Sequence, residues 1–154
     1  MDKIQISLER PDEYYMKEAL KEAEMAFKKG EIPVGAVIVH QNKIIARAYN
    51  QTEQLKDVTA HAEMVAITSA ANHLSNKYLN ECTIYITLEP CVMCAGALQW
   101  AQIKRIVVGT ADPKKGFSTL SGSVLHPKTQ YVSGILAKEC ETLLKSFFER
   151  LRDN

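Results

Sequence analysis

The first apolar pattern in the chain has a helical period. Apolar residues follow Asp12 at helical spacing, with charged residues between them: Met16, Leu20, Ala23 and Phe27. This pattern predicts an amphipathic helix, and Gly30 is its expected end. Residues 1–11 show no convincing period, so we expect a flexible N-terminal arm there. We expect a single domain over residues 12–154.

Short apolar runs predict strands at residues 34–39, 44–49, 83–87 and 105–109, with a shorter piece at Tyr131-Val132. The polar residues 41–43 make the first two runs a hairpin. Strands that alternate with helices predict an α/β layer with parallel strands. Functional sites in such sheets lie outside the carboxyl ends of the strands.

Three further helices are predicted along the chain. One starts after Thr59 as its N-cap, with core-facing positions at Met64, Ile67, Ala71 and Leu74. Another starts after Pro90 and runs to about residue 101. The last spans Ile135 to about Leu151, with five residues expected to pack inward: Leu136, Cys140, Leu143, Leu144 and Phe147. A long connection, residues 112–128, precedes it, and loops of that length are usually functional or disordered.

Composition places the chain among ordinary globular domains. It has 154 residues, of which 46% are hydrophobic and 24% are charged. No apolar run approaches the roughly 18 residues of a membrane span, so no membrane partner is expected. The four cysteines are too few for a disulfide framework, and no signal peptide is visible at the N-terminus. A cytoplasmic protein is the expectation.

The formal net charge is only +1, which gives weak support for a nucleic-acid partner. The charge is unevenly distributed, however. Residues 104–128 have a net charge of +4, because five cations stand against Asp112 alone: Lys104, Arg105, Lys114, Lys115 and Lys128. Such a local patch could bind phosphate groups or could be a solvated surface loop.

Two short stretches contain the residues with metal chemistry. His61 and Glu63 lie in one, and Cys91 and Cys94 lie in the other, directly after Pro90. Two cysteines and one histidine are the three ligands that a catalytic zinc ion uses when water takes the fourth position. A helix N-terminus at each stretch would let both reach one site, and it would favour the thiolates.

The cysteine pair alone permits other interpretations, namely a redox pair, half of a structural zinc site, or two buried thiols. A four-ligand structural site needs one more Cys or His at metal-site spacing, and none of the remaining ones provides it: His40, His73, Cys82, His126 and Cys140. Cys82 and Cys140 fit small buried hydrophobic positions. The catalytic zinc interpretation accounts for all residues of both stretches.

His-x-Glu followed by Pro-Cys-x-x-Cys resembles the signature of zinc-dependent nucleobase deaminases. The longer blocks at residues 59–63, 87–97 and 134–137, with Phe147-Phe148, resemble the bacterial tRNA-specific adenosine deaminases. This resemblance implies a three-layer α/β/α cytidine-deaminase-like fold, with a central mixed, mostly parallel five-stranded sheet. It also implies a homodimer, one Zn²⁺ per chain, and conversion of the wobble adenosine of an arginine tRNA anticodon to inosine.

The same resemblance implies roles for eight residues. The implied zinc ligands are His61, Cys91 and Cys94, and the implied proton shuttle is Glu63. The implied contacts to the tRNA anticodon stem-loop are Asn50, the backbone N–H of Ala62, Asp112 and Phe148. By sequence context alone, Asn50 and Asp112 are ordinary turn residues.

Two alternatives to a tRNA substrate remain open at this point. A small-molecule nucleobase deaminase, guanine deaminase first, would use the same zinc site without a basic rim. A non-catalytic zinc-binding relative would keep the ligands and would be expected to lack Glu63, which this chain has.

Overall fold

The computed structural model describes residues 9–153. Their helices and strands are α1 (Asp12–Lys28), β1 (Gly35–His40), β2 (Lys43–Tyr49), α2 (Thr52–Leu55), α3 (Ala62–Leu74), β3 (Cys82–Leu88), α4 (Val92–Trp100), β4 (Arg105–Thr110), β5 (Gln130–Ser133) and α5 (Ala137–Arg152), with a 3-10 turn at Phe117–Thr119. Residues 1–8 of the predicted arm lie outside the described residues, so the arm stays a prediction. No helix within residues 9–153 is long and apolar enough to span a membrane.

The five strands form one sheet in the order β2-β1-β3-β4-β5. Strand β1 is antiparallel to both of its neighbours, whereas β3, β4 and β5 are parallel to one another. Four strands therefore share a direction, and the mixed, mostly parallel sheet is confirmed. Strands β2 and β3, which α3 connects, run in the same direction but do not pair, because β1 lies between them.

Alternate residues of β1 face opposite sides of the sheet and build two separate cores. Ala36 and Ile38 pack with α3 and α4 on one side. Val37 and Val39 pack with α1 and with Cys140 of α5 on the other. This period-two alternation of buried residues produces three layers, with helices on both faces of the sheet.

The start of α3 differs from the prediction. His61, not Thr59, is the N-cap residue, and the Thr59 hydroxyl instead donates to the Asp57 carboxylate at 2.7 Å. The fully buried face of α3 also differs, since it consists of small residues: Ala62, Ala66 and Ala70. The predicted core positions (Met64, Ile67, Ala71 and Leu74) are only half-buried. Alanine allows the helix to lie close to the sheet, so the larger residues are placed beside the contact.

The last helix begins at Ala137, two residues later than predicted. Leu136 is its N-cap residue and has a left-handed backbone, with φ of 56°. Of the five residues predicted to pack inward, Cys140 and Phe147 are buried, and the other three are half-buried. Cys82 opens β3 and is fully buried, so the prediction of small buried hydrophobic positions is confirmed for Cys82 and Cys140.

An ion pair joins the first helix to the sheet. Both guanidinium NH₂ groups of Arg105 donate to the Asp12 carboxylate at 2.7 Å, and the Tyr85 hydroxyl donates to it at 2.8 Å. Arg105 holds the pKa of Asp12 below its ordinary value. Because its guanidinium is engaged in this pair, Arg105 does not contribute a free cation to a phosphate-binding surface, contrary to the sequence-based interpretation.

Candidate active site

The starts of two helices bring the potential metal ligands together. His61 is the N-cap residue of α3, Cys91 is the N-cap residue of α4, and Cys94 lies in the first turn of α4. The Nδ1 atom of His61 is 3.6 Å from Sγ of Cys91 and 3.5 Å from Sγ of Cys94. Within residues 9–153, these three residues form the one cluster of His, Cys, Asp or Glu with metal-site geometry.

The geometry and chemistry of this cluster fit zinc. Ligands at about 2.3 Å (Zn–S) and about 2.1 Å (Zn–N) at a tetrahedral angle lie about 3.6 Å apart. The observed sulfur–nitrogen distances match that separation. Two thiolates and one imidazole are also the soft and borderline donors that zinc prefers. The three residues can therefore hold a zinc ion while leaving a fourth position open.

The two thiols influence each other strongly. Hydrogen bonds from Cys94 and from His61 lower the pKa of Cys91 to about 3. The same contact with Cys91 raises the pKa of Cys94 far above its ordinary value. The two sulfur atoms therefore interact directly with each other. A divalent cation at this cluster would stabilise both sulfurs as thiolates.

Glu63 lies one residue into α3, beside this cluster but outside its set of three ligands. Its side chain is 4% exposed and contributes to the wall of the adjacent cleft. Burial raises the pKa of its carboxyl group above the ordinary value. A carboxyl group in this position, facing the cleft beside the ligand cluster, has the chemistry of a general acid–base residue.

A cleft of about 1260 Å³ opens over the cluster. It is lined by all the residues predicted for the site except Cys94, which is fully buried: Asn50, His61, Ala62, Glu63, Cys91, Asp112 and Phe148. The structure thus brings every one of these residues to a single surface, although they are spread over almost one hundred positions of the sequence.

Asn50 and Asp112 both have turn contacts in addition to their place in the cleft. Asn50 is buried, its Nδ2 donates to the carbonyl of Ile32, and its Oδ1 accepts from the N–H of Thr52, both at 3.4 Å. The Asp112 Oδ1 accepts from the backbone N–H groups of Lys114 and Lys115, at 3.1 and 3.0 Å. The expected turn functions are therefore present at both positions.

The terminal helix closes one side of the cleft. Phe148 is 42% exposed there, and its ring meets the buried Phe147 edge to face with the ring centres 5.4 Å apart.

Sequence reasoning missed two cations that α5 adds to the cleft, Lys145 and Arg152. They belong to a mixed surface, since Lys145 pairs with Glu141 at 2.9 Å. Lys114 and Lys115 also line the cleft.

Sequence reasoning also missed two buried carboxylates near the cleft. Glu31 is 1% exposed and accepts from the N–H groups of Glu53 and Gln54, at 3.0 and 2.7 Å, at the start of α2. Glu89 directly follows β3 and accepts from the backbone N–H groups of Asp112 and Ser118, in the loop that carries Lys114 and Lys115. In the sequence, each of the two appears only as an acidic residue beside an apolar run. That pattern does not identify the groups that donate hydrogen bonds to it.

Comparison with known proteins identifies the family of the chain. Residues 9–110 match the family model of the cytidine and deoxycytidylate deaminase zinc-binding region. A tRNA-specific adenosine deaminase of Aquifex aeolicus is 45% identical over 92% of this chain and 97% of its own length. A solved structure from a study of A-to-I editing by tRNA:A34 deaminases at the wobble position is 39% identical. It superposes with a TM-score of 0.80 over 85% of this chain and 99% of its own.

A small-molecule deaminase is also similar over part of the fold. The solved structure of a guanine deaminase from Bacillus subtilis is 38% identical, with a TM-score of 0.64. The match covers 66% of each chain.

Proposed function

The chain belongs to the cytidine and deoxycytidylate deaminase family and, within it, to the tRNA-specific adenosine deaminases, and on that premise we propose that it converts the wobble adenosine of a tRNA anticodon loop to inosine. The reaction is a hydrolysis, in which water adds to C6 of adenine and ammonia leaves. The observation that carries the proposal is the His61, Cys91 and Cys94 cluster at zinc spacing with the buried Glu63 beside it.

The three clustered residues would hold one Zn²⁺, and Glu63 would move the protons. Zinc in this position supplies Lewis acidity that lowers the pKa of bound water to about 7. The Glu63 carboxylate takes the first proton of the attacking water and delivers it to N1 of the base. It then takes the proton of the hydroxyl now on C6 and delivers it to the amino group, which leaves as ammonia when the C6–N bond breaks. The position of Glu63 suits this cycle, because its carboxyl group lies in the cleft wall beside His61, and burial favours its neutral, proton-donating form more than water would.

Asn50 and the backbone N–H of Ala62 would orient the base. Both lie in the cleft wall next to His61 and Glu63. Asn50 is fixed by its contacts with Ile32 and Thr52, so its amide is held in one orientation. The target base must leave the anticodon stack to reach this depth, at a cost of roughly a few kcal/mol.

The size of the cleft supports a macromolecular substrate. Pockets for small ligands typically measure about 300–1,000 Å³, and this cleft is larger, at about 1260 Å³. Its lining includes the exposed side chains of Lys114, Lys115 and Phe148, so it extends beyond what a single base would fill. The lysines suit phosphate groups, and the exposed aromatic ring suits stacking on an unpaired base.

The proposal is tested by measuring ammonia release in parallel on guanine, cytosine, adenosine and an anticodon stem-loop with A at the wobble position. We expect turnover of the stem-loop alone at micromolar concentrations. Ready turnover of free guanine with an inert stem-loop would favour a guanine deaminase instead. The arginine tRNA stays a prediction, which sequencing of inosine positions in total tRNA treated with the protein would test.

We further propose that the protein is a homodimer that acts in the cytoplasm, where a tRNA substrate is available. The support for a dimer is the exposure of large apolar side chains on α2, the loop after it and α4: Leu55, Val58, Val92 and Trp100. Exposed apolar residues of this size are typical of interaction surfaces.

A further inference from the structure

Glu89 lies two residues before Cys91, and its carboxylate is 5% exposed. Its Oε1 accepts from the backbone N–H of Asp112 at 3.1 Å. Its Oε2 accepts from the backbone N–H of Ser118 at 2.9 Å and from the Ser118 hydroxyl at 2.7 Å. One carboxylate therefore holds both ends of residues 112–118, the segment that forms one wall of the cleft.

The N–H of Asp112 and the N–H and hydroxyl of Ser118 are the groups that stabilise the Glu89 carboxylate. Within residues 9–153, no ion pair includes this carboxylate. A buried carboxylate without a cation is stable only when hydrogen-bond donors face both of its oxygens. An amide in its place would put an NH₂ group opposite one of the backbone N–H groups, so glutamine cannot reproduce both anchors.

The loop is also packed directly onto the segment that carries Glu89. Gly116 is buried, and a Cβ atom there would overlap the Glu89 carboxylate, which explains why glycine occupies this position. The N–H of Phe117 donates to the carbonyl of Pro90 at 3.0 Å, and Gly116 forms a β-bridge with Cys91. These contacts hold the loop against residues 89–91.

We propose that Glu89 is a positioning residue, which fixes residues 112–118 so that Lys114 and Lys115 stand at the cleft rim in position to contact RNA phosphates. This inference rests on the proposed function, because it assigns the rim to a phosphate-bearing substrate. Two contacts within the loop complete the arrangement, since the Asp112 carboxylate accepts from the N–H groups of both lysines. Glu89 thus acts on substrate binding through the loop and does not touch the reacting atoms.

The test compares the zinc-loaded parent with Glu89→Gln by three measurements: zinc content, the rate of limited trypsin cleavage at Lys114 and Lys115, and the KM and kcat for the anticodon stem-loop. We expect faster cleavage at the two lysines and unchanged zinc content. We expect KM to rise about tenfold, the value of one charge-assisted hydrogen bond, while kcat at saturation stays close to that of the parent.

Two further variants keep the test decisive. Ser118→Ala removes one donor and leaves the backbone N–H, so KM should rise by only about threefold even if Glu89→Gln folds poorly. Asp12→Asn weakens a contact far from the loop and should leave cleavage at Lys114 and Lys115 and the KM unchanged. This control separates loop release from general loss of stability.

Two outcomes would overturn the inference. Loss of zinc and a lower kcat with unchanged cleavage would mean that Glu89 positions Cys91 and not the loop. Faster cleavage with an unchanged KM would mean that the loop does not contact the substrate. If the parent itself fails to deaminate the stem-loop, the proposed function fails, whereas the trypsin measurement still decides whether Glu89 anchors the loop.

Discussion

The Nδ1 atom of His61 lies 3.6 Å from the Sγ atom of Cys91, although the two residues are thirty positions apart in the chain. This separation is close to the edge of a tetrahedral zinc site, which is about 3.6 Å for one nitrogen and one sulfur ligand. The starts of α3 and α4, two helices that pack in the same core beside the sheet, produce it. Metal binding should therefore require the ligands of both stretches of sequence.

Replacing either residue should therefore remove the metal. His61→Ala and Cys91→Ala leave two protein ligands, and metal binding contributes to the stability of the fold. We expect less than one zinc per ten chains by elemental analysis after dialysis, and a lower melting temperature. Cys82→Ser and Cys140→Ser are the matched controls, and they should keep one zinc per chain. Full zinc occupancy in His61→Ala or Cys91→Ala would refute the ligand assignment.

Glu63→Gln should abolish deamination while keeping the zinc. The amide has nearly the same shape but cannot transfer protons, and general acid–base catalysis is typically worth about 10²–10⁴-fold in rate. Single-turnover assays on the stem-loop, together with zinc analysis, measure the two effects separately. Glu24→Gln, on the exposed face of α1, is the control and should behave like the parent. Turnover by Glu63→Gln within tenfold of the parent would contradict the assigned role.

The rim lysines should determine how stem-loop binding depends on salt. Lys114→Ala with Lys115→Ala should weaken binding and reduce the slope of log K against log salt by about one per lost phosphate contact. Titrations at several salt concentrations provide the slope. The double variant Lys43→Ala with Lys77→Ala removes two exposed lysines outside the cleft and should leave the slope unchanged. Equal slopes for both double variants would exclude a phosphate-binding rim.

Asp12→Asn should destabilise the protein at neutral pH by about 1–3 kcal/mol, the contribution of hydrogen bonds to a charged group. The pKa of Asp12 in the folded chain is lowered from 3.8 by Arg105. The stabilisation is therefore fully present above pH 3.8 and is lost as the pH falls through the lower folded value. Urea unfolding at pH 7 and at pH 3 measures this difference. A difference in the free energy of unfolding between variant and parent that is larger at pH 3 than at pH 7 would contradict this prediction.

Trp100→Glu should convert the proposed dimer into a monomer. The side chain of Trp100 is 81% exposed at the end of α4, and a charge in an apolar interface opposes association. Sedimentation velocity at several protein concentrations distinguishes the two states. Gln102→Glu, which adds a charge just beyond the same helix, is the control. A parent that sediments as a monomer at all concentrations would refute the dimer.

Local sequence patterns were enough to predict the strands, the long helices and the metal ligands. Short apolar runs located the strands, and apolar residues at helical spacing located the long helices, because these patterns report which residues an element buries. The spacing of His61, Glu63, Cys91 and Cys94 indicated the metal chemistry, because ligand type and spacing are properties of the chain itself. The local errors were small shifts, such as the start of α3 at His61 and not at Thr59, and a change of its buried face from Met64 and Ile67 to the alanines beside them.

Only the tertiary structure decided which distant groups meet. The Arg105 side chain was assigned to a basic patch, but it pairs with Asp12, ninety-three positions away. Glu89 had no predicted role, and its partners Asp112 and Ser118 follow it by more than twenty residues. Lys145 and Arg152 reach the cleft because α5 packs beside it. The sequence pattern shows that a polar group is present, but its partner depends on how the helices and the sheet pack together, which no local period encodes.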